Sequence, residues 1–164
     1  MTARIHKPNL ILGHLDGAEV GFRRLRRAVA IRTSVLQTPV GALIVPILQE
    51  MVVIKGWLTY QRCARRDFLD FAALVDVLGG PDSIAAPLEL DRLYSPLQST
   101  PVGLSVSAAL VEVQPFDLSE VKPSEYRGLA PEWQDWSKVQ AICQRIGSEL
   151  GKRLVLSGGG SRAP

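Results

Sequence analysis

The residues that most often carry catalysis or bind metals are few and scattered in this sequence. Only two histidines occur, His6 and His14, and Asp16 is the acidic residue closest to His14. A zinc-type site needs three or four ligands, and no cysteine lies near this pair. No G-x-S-x-G segment is present to place a nucleophilic serine on a sharp turn. We therefore expect no metal site, no cofactor and no enzymatic activity.

Other polar and glycine-rich positions are explained by helix ends. Asp67 and Asp70 are paired carboxylates, but they fall at the start of a predicted helix, where negative charge is favoured. Gly79 and Gly80 end that helix, whereas a phosphate-binding loop begins one, and no GK[ST] follows. These positions therefore predict helix boundaries and no phosphate site.

An arginine cluster is the most unusual local feature. Five arginines fall within ten residues: Arg23, Arg24, Arg26, Arg27 and Arg32. Guanidinium groups bind phosphates with paired hydrogen bonds, so nucleic acid is one partner that the cluster fits. Phe22 is the only aromatic residue among the arginines, which does not support base stacking. Docking to another protein and an ordinary solvated surface are the alternatives.

The charge of the chain is unevenly distributed. Residues 1–70 contain eleven Lys and Arg against five Asp and Glu, a balance of +6. Residues 71–164 contain eight against eleven, a balance of −3. This division indicates either head-to-tail contacts between copies or a basic face for nucleic acid. For contacts between copies, the candidate acidic partners are Glu112, Asp117, Glu120 and Glu125.

Several segments that flank these residues have the patterning of β-strands. Alternating apolar residues predict strands over residues 27–36 and 102–113. Val52 and Ile54 give strand character to residues 50–60, and a short strand is predicted at 88–90. Asp16-Gly17 is a turn signal near the amino terminus.

Helical spacing is confined to two segments. Residues 67–78 predict the clearest helix, because its apolar residues recur every three or four positions. Residues 131–150 predict a second helix, ended by Gly151. The expected fold is α+β: a mostly antiparallel sheet, with a small split barrel as one form, one packed helix and a C-terminal helix. Phe68 and Phe71 are expected to face the strand at 102–113.

The expected organisation is one domain with two irregular ends. Residues 1–20 are interpreted as an N-terminal arm, residues 21–152 as a single α+β domain, and residues 153–164 as a flexible tail. The longest apolar run, residues 40–48, is too short to span a bilayer, and no secretory signal is recognised. No membrane partner is therefore expected, and Cys63 and Cys143 are expected to be reduced.

The order of segments also resembles a known structural family. The sequence VVIKGWL at residues 52–58 is followed by the helix at 67–78, then by LEL at 88–90 and the strand ending VEV at 111–113. This layout resembles small tail and baseplate proteins of tailed bacteriophages and of related contractile injection machines. The resemblance covers about half of the chain.

The resemblance implies a non-enzymatic structural subunit that assembles into rings around a tail tube. Its partners would be copies of itself and neighbouring tail or baseplate proteins, in the virion or, during assembly, in the host cytoplasm. The arginine cluster from Arg23 to Arg32 is the candidate interaction site, and a nucleic-acid-binding domain that uses the same cluster is the alternative function.

Overall fold

The computed structural model describes residues 3–6, 10–97, 101–120, 122, 125–126 and 128–158. Within these residues the chain first forms five strands: β1 (Ala3–His6), β2 (Leu10–Leu15), β3 (Ala18–Arg23), β4 (Thr33–Thr38) and β5 (Gly41–Pro46). Helices follow: α1 (Leu48–Gln61), α2 (Arg65–Leu78), α3 (Asp82–Leu88), α4 (Leu90–Tyr94), α5 (Val102–Glu112) and α6 (Trp136–Gly158). Short 3-10 turns occupy Ser95–Leu97 and Pro131–Trp133.

The strands form two small antiparallel sheets. The order in the first sheet is β1-β2-β3, and β4 pairs with β5 in a separate ribbon. Asp16 and Gly17 make the turn between β2 and β3, and both have positive φ, as type I′ hairpin turns require. The predicted Asp-Gly turn is therefore confirmed. Pro39 and Val40 make the turn of the β4–β5 ribbon.

The hydrophobic core lies among the helices, and no strand of the described residues contributes to it. α2 is at its centre, because Phe68, Phe71, Ala72 and Val75 have the 3.6-residue spacing that buries one helical face. A Cβ atom added to Gly56 of α1 would lie 3.3 Å from the Phe71 ring, so α1 packs closely on α2. The helix predicted over residues 67–78 is thus present as α2.

Helices α5 and α6 approach closely through small residues. A Cβ atom added to Gly147 would lie 2.8 Å from the Leu110 Cβ atom, and one added to Gly151 would lie 2.7 Å from the Ser107 hydroxyl. That hydroxyl donates a hydrogen bond to the Gly147 carbonyl, at 2.8 Å. The two glycines therefore allow direct backbone contact between the helices.

The prediction of a mostly antiparallel α+β sheet or split barrel is wrong, since the fold is mostly helical. Residues 50–60 lie in α1, where Val52 and Gly56 form one buried row and Val53 and Trp57 form another. Four-residue rows of this kind belong to a helix, and their burial outweighs the strand propensity of Val and Ile. Residues 88–90, predicted as a strand, span the junction of α3 and α4.

The predicted strand at 102–113 is helix α5. Val102, Val106 and Leu110 are buried, whereas Leu104 is exposed. A spacing of four residues satisfies both the alternation of a strand and the turn of a helix, so the buried positions fit either element. The exposure of Leu104 fits only the helix. Phe68 and Phe71 consequently pack among helices and not against a sheet.

The predicted element boundaries also need correction near both ends. The strand predicted over residues 27–36 begins at Thr33, because residues 24–32 form an irregular connection. α6 does not end at Gly151 but continues to Gly158, because Gly151 serves helix packing and not a cap. Residues 153–158 of the predicted tail are therefore helical, and residues 159–164 lie outside the described residues. Much of the predicted arm forms β1, β2 and β3.

Candidate docking surface

Two residues of the arginine cluster bind one buried carboxylate. Glu50, in the first turn of α1, is 1% exposed. Arg27 Nη1 donates to Glu50 Oε2 at 2.5 Å, and Arg32 Nε donates to Glu50 Oε1 at 2.8 Å. We call these three residues the anchor, because they connect the segment between β3 and β4 to the helices.

The electrostatics of the anchor favour the ionised carboxylate. Burial acts to raise the pKa of Glu50, but hydrogen bonds from Arg27 and Arg32 outweigh it and leave that pKa below its ordinary value. The Arg27 side chain is only 4% exposed, whereas Arg32 remains more than half exposed. Arg27 is therefore the inner member of the anchor.

Further contacts attach the same connection to the helices. Leu25 packs against the hydrophobic core, and the Ala28 amide donates to the Leu93 carbonyl at 2.8 Å. The Arg27 guanidinium lies 6.0 Å from the centre of the Tyr94 ring, which stacks on Trp57. Burial raises the pKa of Tyr94 to about 12, so its phenol stays protonated. The connection from residue 24 to residue 32 is thus fixed by apolar, backbone and ionic contacts.

The other arginines of the predicted site are placed differently. Arg24 and Arg26 are exposed, on either side of the half-buried Leu25. Arg23 is the last residue of β3, opposite Leu10, and its side chain lies outside the described residues. The cluster is therefore divided, since Arg27 and Arg32 bind Glu50 while Arg24 and Arg26 face solvent.

The β4–β5 ribbon exposes apolar residues on both faces. Val35 and Ile44 pair across one face and are 61% and 77% exposed. Leu36 and Leu43 pair across the other face and are each about half exposed. Each strand has one partner among the described residues, so both outer edges are unpaired there. Such a ribbon offers apolar side chains and backbone groups together.

The first sheet also has an apolar face that nothing covers among the described residues. Ile11 pairs with Phe22 and Gly13 pairs with Val20, and alternation places all four on one face. Phe22 is 69% exposed and Ile11 is 43% exposed. Antiparallel sheets normally pack such a face against other apolar groups. Residues 10–46, which we call the β segment, therefore form the candidate docking surface.

The amino-acid sequence alone does not reveal this surface. Apolar alternation at residues 33–46 signals a strand but does not reveal whether another element covers it. The arginines were recognisable from their number, whereas Glu50 lies 23 residues from Arg27 and has no local signal. No group of His, Cys, Asp and Glu suited to a metal ion occurs in the described part of the chain.

Among the described residues, no helix has the length and apolar character needed to cross a membrane.

Comparison with known proteins gives limited similarity. No protein-family model matches the chain, and no solved structure matches it. The chain is 30% identical over 126 residues to the heme uptake protein MmpL11 of Mycobacterium tuberculosis (strain ATCC 25618 / H37Rv) and to the probable transport protein MmpL11 of Mycobacterium bovis. The match covers 74% of this chain but only 12% of those proteins. It therefore does not place the chain in their family.

Proposed function

We propose that the chain is a non-enzymatic assembly subunit that associates with further copies of itself through the β segment. The helices form a base, and the anchor fixes the β segment to it. The observation that supports the proposal is the exposure of Val35, Leu36, Leu43 and Ile44 on both faces of an open-edged ribbon.

The physical argument concerns the stability of the ribbon. A two-stranded ribbon is at best marginally stable in water unless other strands or a packing face support it. Exposed apolar strands with free edges also invite pairing with another chain. Association removes this apolar surface from water and supplies partners for the edge groups. A subunit that docks through the ribbon is thus more stable in the assembly than alone.

The resemblance to phage tail and baseplate proteins does not support this proposal. Residues 52–58, 88–90 and 111–112, on which it rests, are helical or lie at a helix junction. The MmpL11 proteins are named for transport and heme uptake, but the match spans only 12% of their length. It therefore supports neither activity for this chain.

The test changes one exposed residue on each face of the ribbon. Leu36→Thr combined with Ile44→Thr keeps residues that suit strands but removes an apolar side chain from each face. We expect the mass of the wild-type protein to rise with concentration in sedimentation equilibrium. The double variant should remain near the 17.9 kDa of one chain.

The matched control is Val77→Thr on α2, since Val77 is 74% exposed and lies outside the β segment. This variant should assemble like the wild type, and circular dichroism should give all three proteins the same helix content. Assembly of the double variant at wild-type strength, or a wild-type protein of single-chain mass at all concentrations, would contradict the proposal.

A nucleic-acid-binding function is the second candidate, and the exposure of Arg24 and Arg26 favours it. Phosphate contacts by such residues give an affinity that falls steeply with salt. Titration of a labelled DNA duplex at several salt concentrations, with wild type and with Arg24→Glu combined with Arg26→Glu, measures this directly. Salt-sensitive binding that the double variant loses would support the second candidate.

A further inference from the structure

The last residues of α5 and the start of the connection to α6 form a second exposed apolar surface. Residues 111–120, which we call the acidic connection, expose three apolar side chains: Val111, Phe116 and Leu118. The Phe116 side chain is 68% exposed, although its backbone amide donates a hydrogen bond to the Cys63 carbonyl at 3.0 Å. The surface is therefore apolar and firmly positioned.

Acidic residues surround these apolar side chains. Glu112 and Glu120 are exposed, and Asp117 Oδ1 accepts a hydrogen bond from the Arg65 amide at 2.7 Å. Burial raises the pKa of Cys63, and the charges of Asp117 and Glu112 act in the same direction, which agrees with their position beside it.

Two arginines near this surface have acidic neighbours of their own. Arg62 Nε lies 3.3 Å from Asp67 Oδ2, and Arg66 Nε lies 3.8 Å from Asp70 Oδ2. The Arg65 guanidinium lies 4.9 Å from the centre of the Trp136 ring. Among the described residues, no ion pair joins Glu112 or Glu120 to a cation, so both carboxylates can face a cation of another copy.

The β segment has the opposite charge at its edge. Arg24 and Arg26 are exposed next to the apolar sheet face that contains Phe22. The two surfaces thus share apolar centres and differ in the sign of their flanking charges. Complementary charges of this kind set the orientation of an interface more than its strength.

The position of α1 separates the two surfaces within one copy. The anchor binds Glu50 in the first turn of α1, whereas the acidic connection contacts Cys63, just after the helix ends. A 14-residue helix is about 20 Å long at 1.5 Å per residue. The geometry therefore favours contact between different copies.

From these contacts we infer that the acidic connection of a second copy is the acceptor for the β segment, with Glu112 and Glu120 facing Arg24 and Arg26. The inference rests on the proposed self-association and names the surface that completes it. Such a contact joins two different surfaces, so it is head-to-tail. Successive contacts of this type build a ring if the rotation closes and a filament if it does not.

The experiment uses a donor variant, Arg24→Glu with Arg26→Glu, and an acceptor variant, Glu112→Lys with Glu120→Lys. Each alone should associate at least about tenfold more weakly than wild type, because two charge pairs become repulsive. Mixed in equal amounts, the two variants should recover assembly in light scattering. The acceptor variant keeps its arginines and the donor variant keeps its glutamates, so these two intact surfaces attract each other. The two reversed surfaces also carry opposite charges, so the contact can continue beyond a 1:1 pair.

The control for the acceptor variant is Asp76→Lys combined with Asp82→Lys. It changes the net charge by the same amount and sign, at two exposed positions outside the acidic connection. It should assemble like wild type. An acceptor variant that assembles like wild type, or a mixture that stays at single-chain mass, overturns the inference. If the double variant Leu36→Thr with Ile44→Thr still fails to assemble in that case, the proposed function stands, with a different surface as the acceptor. A wild-type protein that never associates overturns both.

Discussion

Arg27 and Glu50 form an ion pair with both side chains almost fully withdrawn from solvent, and this pair joins the β segment to the first turn of α1. Arg32 completes the hydrogen bonding of the carboxylate from the exposed side. Part of the arginine cluster therefore has an internal structural role, whereas Arg24 and Arg26 remain available for partners.

Removal of the Glu50 carboxylate should destabilise the protein. Glu50→Ala leaves the Arg27 guanidinium buried without its counter-ion, a change that typically lowers the free energy of unfolding by about 3–5 kcal/mol. Urea denaturation followed by circular dichroism measures the change. Glu19→Ala, at an exposed position of β3, is the control and should change the free energy by less than about 0.5 kcal/mol. A loss of that small size for Glu50→Ala would contradict the anchor.

The anchor should also make stability depend on pH in the acidic range. The pKa of Glu50 in the folded protein lies below its ordinary value of 4.5. Its contribution is therefore fully present above about pH 4.5 and is lost as the pH falls through the lower, folded-state pKa. Thermal unfolding from pH 7 to pH 3 should show a smaller acid-induced loss in Glu50→Gln than in wild type. Parallel curves for the two proteins would contradict this role.

The contact between α5 and α6 should not tolerate a larger side chain at Gly147. An added methyl group would meet the Leu110 Cβ atom at 2.8 Å and the Ser107 carbonyl oxygen at 2.9 Å. Gly147→Ala should lower the free energy of unfolding by about 1–3 kcal/mol, despite the higher helix propensity of alanine. Ser148→Ala, on the exposed side of the same helix, is the control. Stabilisation by Gly147→Ala would contradict the close approach of α5 and α6.

The helical part of the fold was predictable where only one period fitted the sequence. Phe68, Phe71 and Val75 have spacings of three and four that no strand reproduces, and the helix that they predict is α2. Val102, Val106 and Leu110 are spaced by four, which suits both periods, and the strand predicted there is in fact helix α5. Only burial in the folded protein decides between strand and helix here, because the sequence does not reveal which apolar residues are buried.

The candidate surface was predictable only in part. The number of arginines marked residues 23–32 as unusual, but the division of the cluster depends on Glu50, which the fold brings into contact with Arg27 and Arg32. Exposure of the β4–β5 ribbon was not predictable, because the same alternation occurs in covered strands. Long-range packing therefore decides which of these residues are available to a partner.

The central claim is that the β segment is covered by another copy, and hydrogen exchange of backbone amides tests it most directly. The protein is labelled at low and at high concentration, and exchange is compared between residues 33–46 and the core helix α2. The account predicts that amides of the ribbon become protected at high concentration while those of α2 stay the same. Ribbon exchange that is equally fast at both concentrations, in a protein whose mass does not change, would contradict the account.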